Sequence, residues 1–172
     1  MNLSQANHTA VRVLDALAPY CDQIEIGGSI RRERPEPRDI EIVCIPKLYS
    51  ADLFGEQKQR MPGFYHTIYQ WPGVKGDPVE GKYTQRILPT GIKLDLFIAR
   101  PENWGLIFAI RTGSADWVKY VLAAGWVAAG YHSYQGILRR HGTPIETPTE
   151  RGLFDLLNIP WTEPKDREWS AP

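Results

Sequence analysis

Two short segments constrain the fold more than any other part of the chain: DIEIVCI at 39–45 and IKLDLFIA at 92–99. Each is an apolar run broken by charge at alternate positions, and both read as strands. Side chains two apart on a strand point to the same face, roughly 7 Å apart. Asp39 and Glu41 therefore share one face while Ile40 and Ile42 take the other. The second segment repeats the design, with Lys93 and Asp95 on one face and Leu94, Leu96 and Ile98 on the opposite one. Set side by side in a sheet, the two strands gather three carboxylates in one place.

The remaining pattern supplies helices around such a sheet. Leu3, Ala6, Ala10, Val13, Leu14 and Leu17 recur at helical spacing, with Ser4 as the expected cap and Pro19 closing the segment. Residues 23–27 read as another strand. A helix is expected near 51–60, followed by FYHTIYQW, GVKGDPVEG and KYTQRIL, read as strands and turns that extend the sheet. After Pro101 the pattern turns helical: ENWGLIFAIRTGSADWVKYVLAAGW gives two apolar-faced helices broken at Thr112-Gly113-Ser114. A hairpin in YQGILRRHG and a capped helix from Thr149 to Leu157 follow. The expected organisation is α+β, with one domain over 1–100 and a smaller α/β lobe over 101–172.

Composition excludes several classes. Twenty basic residues balance twenty acidic ones, so net charge supports neither a nucleic-acid nor a membrane partner, and any such role must rest on local clusters. Cys21 and Cys44 have no CxxC or Cys/His spacing, which points to reduced, buried thiols rather than a disulfide or zinc site. Neither a signal-peptide pattern nor an apolar run of ~18–20 residues occurs, so a cytoplasmic protein that does not enter the membrane is expected.

Three carboxylates at close quarters repel one another unless a cation joins them. Oxygen-only ligands favour a hard ion such as Mg²⁺, and two such ions ~3.5–4 Å apart can serve in-line phosphoryl displacement. Immediately upstream, the Gly27-Gly28-Ser29 turn offers backbone N–H groups and a hydroxyl to phosphate oxygens, and Arg31 or Arg32 can add bidentate contacts. A single D-x-E on a half-exposed strand is usually a solvated face; the neighbouring phosphate-binding pattern is what raises it above that.

These residues resemble the nucleotidyltransferase superfamily with a DNA polymerase beta-like core, and specifically its family X DNA polymerases. The pattern is Gly28-Ser29-Ile30-Arg31-Arg32, Asp39-Ile40-Glu41 and Asp95. RTGSADW at 111–117 is similar to the family's T-G-S turn, and TERGLFDLLNIPWTEPKDR at 149–167 to its C-terminal signature. The resemblance implies a palm with a mixed sheet over 1–100 and a C-terminal nucleotide- and template-binding lobe over 101–172, the minimal form of the family. It implies that Asp39, Glu41 and Asp95 are catalytic and hold two Mg²⁺ ions, for which Mn²⁺ can substitute. Asp95 would also help to remove the primer 3′-hydroxyl proton. Gly28, Ser29 and Arg32 would contact the nucleotide triphosphate, Thr112, Gly113 and Ser114 would border its sugar, and Lys93, Arg139 and Arg140 would meet DNA.

The implied activity is that of a monomeric DNA-directed DNA polymerase adding dNTPs to a primer 3′ end, for short-gap repair or for a viral or mobile-element genome. Two alternatives stay open: a template-independent or small-substrate nucleotidyltransferase, and an inactive nucleic-acid-binding scaffold on the same fold. The chain departs from the family in Glu41, where Asp is commoner, and in Ile110-Arg111, which replaces an aromatic pair. It departs again in Val118 and Leu122, which align with a base-checking Asn and Arg, so low fidelity is expected. Trp117 is the tryptophan singled out for base stacking. Arg34 and Arg38 are expected to pair with Glu33 and Glu36 or to meet phosphate.

Overall fold

A computed structural model of the chain describes residues 1–50, 52 and 57–170. The chain divides into two compact units, residues 1–26 with 35–98 and residues 27–34 with 99–172. The first is α+β with a mixed sheet. Its helix α1 (Leu3–Leu17) buries Ala6, Ala10, Val13 and Leu17 along one stripe, the 3.6-residue spacing visible in the sequence. Asn2 rather than Ser4 caps it: Asn2 accepts from the Gln5 N–H and the Gln5 side chain accepts from Asn2 in return, a reciprocal box that sets Ser4 inside the first turn.

Strands β1 (Cys21–Ile26) and β2 (Asp39–Pro46) run antiparallel. A small antiparallel pair follows, β3 (Leu48–Ser50) with β4 (Lys58–Arg60). The helix expected near 51–60 falls partly on residues outside the described ones, and its last three described residues are strand. FYHTIY, expected as sheet, is helix α3 (Pro62–Tyr69), taken in chain order after α2 (Gly28–Arg31) of the second unit. Pro62 opens it, and Phe64 and Ile68, four apart, are its buried pair, a helical signal hidden among aromatic β-formers.

The sheet is completed by β5 (Gly73–Gly76), β6 (Tyr83–Ile87) and β7 (Lys93–Ile98), in the order β1-β2-β7-β6-β5. Only β2 and β7 pair in parallel. Ile40, Ile42 and Cys44 of β2 and Leu94, Leu96 and Ile98 of β7 are buried on one face, and α1 packs on β1 and β2. Both cysteines are reduced and buried, as expected.

The second unit contains α2, α4 (Trp104–Thr112), α5 (Ala115–Trp117), a π-helical turn Val118–Ala123, and α6 (Ala124–Ala128). A three-stranded antiparallel sheet, β8 (His132–Tyr134), β9 (Ile137–Arg140) and β10 (Thr143–Ile145), precedes α7 (Glu150–Leu157). Thr149 caps α7 as expected, accepting from the Gly152 N–H. Leu106, Ala109, Trp117, Leu122, Leu138, Leu153, Phe154 and Leu157 form its core. The boundary near 101 is close to the observed 98/99, but residues 27–34, expected with the palm, group with the second unit. Helix α2 packs against α4 of that unit. No described helix is long and apolar enough to cross a membrane.

Candidate active site

The polar face of the five-stranded sheet carries the predicted carboxylates in a defined register. Glu41 of β2 lies opposite Asp95 of β7, and Asp39 lies opposite Lys93. Beyond β7, Gln85 of β6 lies opposite Asp95, and Lys75 of β5 opposite Gln85, so Lys75, Gln85, Asp95 and Glu41 form one row across four strands. Residues directly opposite in a ladder sit on the same face with Cβ atoms ~4.5–5.5 Å apart. The parallel β2–β7 pairing therefore brings together the three carboxylates that the alternation of both segments exposes.

Asp95 is 9% exposed, and its Oδ1 accepts two hydrogen bonds. One comes from the Tyr83 hydroxyl, the other from the Gln85 amide at 2.7 Å. Tyr83 is itself held by a stack on Phe97, ring centroids 5.0 Å apart, and by the Lys75 ammonium 5.3 Å from its ring centre. Neither Tyr83 nor Gln85 was singled out in the sequence. The signal was present in KYTQRIL, where both occupy alternate positions of one strand, but its register against β7 was not.

The donor set is of the kind a hard divalent ion takes, oxygen only, on one face of two adjacent strands. The side chains do not form a finished cage: no group of three or more His, Cys, Asp or Glu among the described residues is close enough to hold a metal.

The glycine-serine turn and the arginines belong to the second unit. Gly28 has φ of 59°, a left-handed backbone that favours glycine regardless of ligand. Arg31 is bidentate to Glu150, at 2.7 and 2.9 Å, donates to the Thr112 hydroxyl at 2.7 Å, and lies over the Phe108 ring. Arg167, fully buried, donates to Glu150 Oε1, one of the two oxygens Arg31 also bonds, and is ringed by Trp117, Phe154 and Trp161. Burial pushes the Arg167 guanidinium down from its usual value, and the Glu150 charge works against that shift. Arg32 donates to Glu168 at 2.8 Å and to the Thr112 carbonyl at 2.6 Å. Arg34 pairs with Glu168 at 3.6 Å rather than with Glu33 or Glu36.

The T-G-S turn has a structural use at each position. Thr112 is buried and accepts from both arginines. A Cβ on Gly113 would lie 2.4 Å from Trp117 Cε3, so glycine is needed there for packing. Ser114 caps α5 through the Trp117 N–H. Trp117 is 2% exposed and stacked on Phe154, which places it in the core and corrects its expected role as a base-stacking surface. Leu122 is fully buried and Val118 packs against the same cluster, so neither position faces outward. The π-helical turn, with its wider winding, leaves Lys119 and Tyr120 as the exposed residues there.

Of the cations expected to meet DNA, Lys93 is exposed at the start of β7. Arg140 is exposed, with its guanidinium over Tyr131, whereas Arg139 donates to the Gly142 carbonyl within its own hairpin. No protein-family model and no curated protein matches the sequence.

Proposed function

We propose that the chain is a nucleotidyltransferase with a DNA polymerase beta-like palm, acting as a DNA-directed DNA polymerase in short-gap repair or in replication of a viral or mobile-element genome. The observation that carries this reading is the placement of Asp39, Glu41 and Asp95 on one polar face of adjacent parallel strands, Glu41 opposite Asp95. Like charges set side by side in a ladder cost stability, and a divalent cation between them would offset that cost.

In this reading Asp39, Glu41 and Asp95 hold two Mg²⁺ ions, or Mn²⁺ in their place. Bound there, such ions lower the pKa of an attacking hydroxyl and offset charge on a departing phosphate. Asp95 accepts the proton of the primer 3′-hydroxyl as the bond from O3′ to the α-phosphorus forms. The bond to the β-phosphate bridging oxygen breaks, pyrophosphate leaves, and the proton passes to solvent. Ser29 and the Gly28 backbone contact the triphosphate, and Arg32 joins them by exchanging Glu168 for phosphate. Lys93 serves the primer end and Arg140 the template backbone, contacts that need only charge and reach. With Val118 and Leu122 facing the core, base selection rests mainly on pairing and is low.

Extension of a labelled primer, alone, templated or gapped, with single dNTPs and Mg²⁺ or Mn²⁺, tests the reading. Additions that follow the template are the expected result. Additions indifferent to template would replace the polymerase by a template-independent transferase, and no addition under any condition would overturn the enzymatic reading.

A further inference from the structure

We propose that Tyr83 and Gln85 are positioning residues for Asp95, partners that fix its carboxylate for a divalent cation; this rests on the metal-dependent reading of the carboxylate face. Both donors converge on Oδ1, and Oδ2 takes no bond from either. Two hydrogen bonds on one oxygen fix the carboxylate plane and the χ angles that a monodentate ligand would otherwise have to freeze on binding. The donors are neutral and bring no positive charge of their own, unlike the arginines that face Glu150.

The support extends a layer further. Phe97 beneath Tyr83 and Lys75 over its ring hold the phenol in place, and the β6–β7 register sets Gln85 directly opposite Asp95. Partners that orient a ligating group in this way commonly contribute about 10–100-fold to metal affinity or activity. Both bonds end on Oδ1, so Oδ2 is the oxygen turned to ligand duty in this reading.

Tyr83→Phe keeps the ring, its stack on Phe97 and its place beside Lys75 while deleting the hydroxyl; Gln85→Leu independently deletes the amide. Mn²⁺ binding to the full chain, followed by electron paramagnetic resonance without nucleotide or DNA, reads the effect apart from catalysis. Each variant is expected to bind Mn²⁺ about 10-fold more weakly, to lose kcat in primer extension with the nucleotide KM unchanged, and to keep the wild-type urea midpoint. Mn²⁺ affinity equal to wild type in both variants overturns the proposal, as does a loss no larger than the fall in folded fraction. A wild-type chain that binds no Mn²⁺ and extends no primer instead overturns the reading beneath it.

Discussion

Asp95 in the sheet unit and Glu150 in the helical unit are almost equally buried, 9% and 7% exposed, but their partners are of opposite kinds. Glu150 is held by two guanidiniums, Arg31 and Arg167, one of them fully buried. Asp95 is held by a phenol and an amide, both neutral. A carboxylate between two cations has its charge already answered, and its removal is a matter of stability. A carboxylate held by neutral donors has its geometry fixed and its charge left in place, which suits a ligand still to come. Glu150 and Arg167 lie near the two ends of the segment 149–167 and meet in one buried network.

The sharpest way to break this contrast is a pair of charge deletions that keep shape. Asp95→Asn is expected to lower primer extension by several orders of magnitude, the loss of a metal-binding charge and a proton acceptor together, with the urea midpoint near wild type. Glu150→Gln is expected to do the reverse. It leaves Arg31 and the buried Arg167 without the charge they share, and removing one partner of a buried ionic network typically costs about 3–5 kcal/mol. Urea unfolding of both variants beside their extension rates checks the crossing. A Glu150→Gln protein of normal stability, or an Asp95→Asn protein of normal activity, removes that half of the contrast.

Arg32 lies between the two cases, since its side chain is 13% exposed and its guanidinium is shared between Glu168 and a backbone carbonyl. If it exchanges Glu168 for a triphosphate, Arg32→Ala weakens nucleotide binding by about 1.5–3 kcal/mol. Glu168→Gln, by freeing the guanidinium, then lowers the nucleotide KM. The two variants move KM in opposite directions in that case. Equal losses of stability with no change in KM assign Arg32 to the fold alone.

How much of this was legible in the sequence follows from the range of each interaction. The strands at 39–46 and 93–98 and the capped helix at 150–157 were readable because alternation, helical period and a threonine cap are local signals. The three carboxylates were readable for the same reason, and only their register needed the sheet. Arg31, by contrast, looked like a phosphate ligand because its partner stands 119 residues away. Nothing near residue 31 announces Glu150. The helix Pro62–Tyr69 was hidden by aromatic residues with β preference, and the π-helical turn by the ordinary helical spacing around it. Tyr83 and Gln85 were visible as strand residues, but not as partners of Asp95 until β6 was set against β7.

The smallest effect comes from a third carboxylate, Asp77, which carries the theme of neutral donors out to the surface. Its Oδ1 accepts from the Val79 N–H at 3.0 Å and the Tyr69 hydroxyl at 3.2 Å, and its Oδ2 from the Glu80 N–H at 3.3 Å. The Val79 bond, more than any other contact, holds the carboxyl below its ordinary value. A carboxyl depressed on folding stabilises the native state at pH values above its unfolded value of about 3.9. That contribution is lost as pH falls through the lower, folded value. Solvent surrounds the side chain, so the effect should stay below about 1 kcal/mol. Asp77→Asn should therefore be slightly less stable than wild type at pH 7, and the gap should close between about pH 4 and the folded value. Urea midpoints of both proteins across that range measure it. A gap that persists unchanged at pH 2 would mean that shape rather than charge holds this turn.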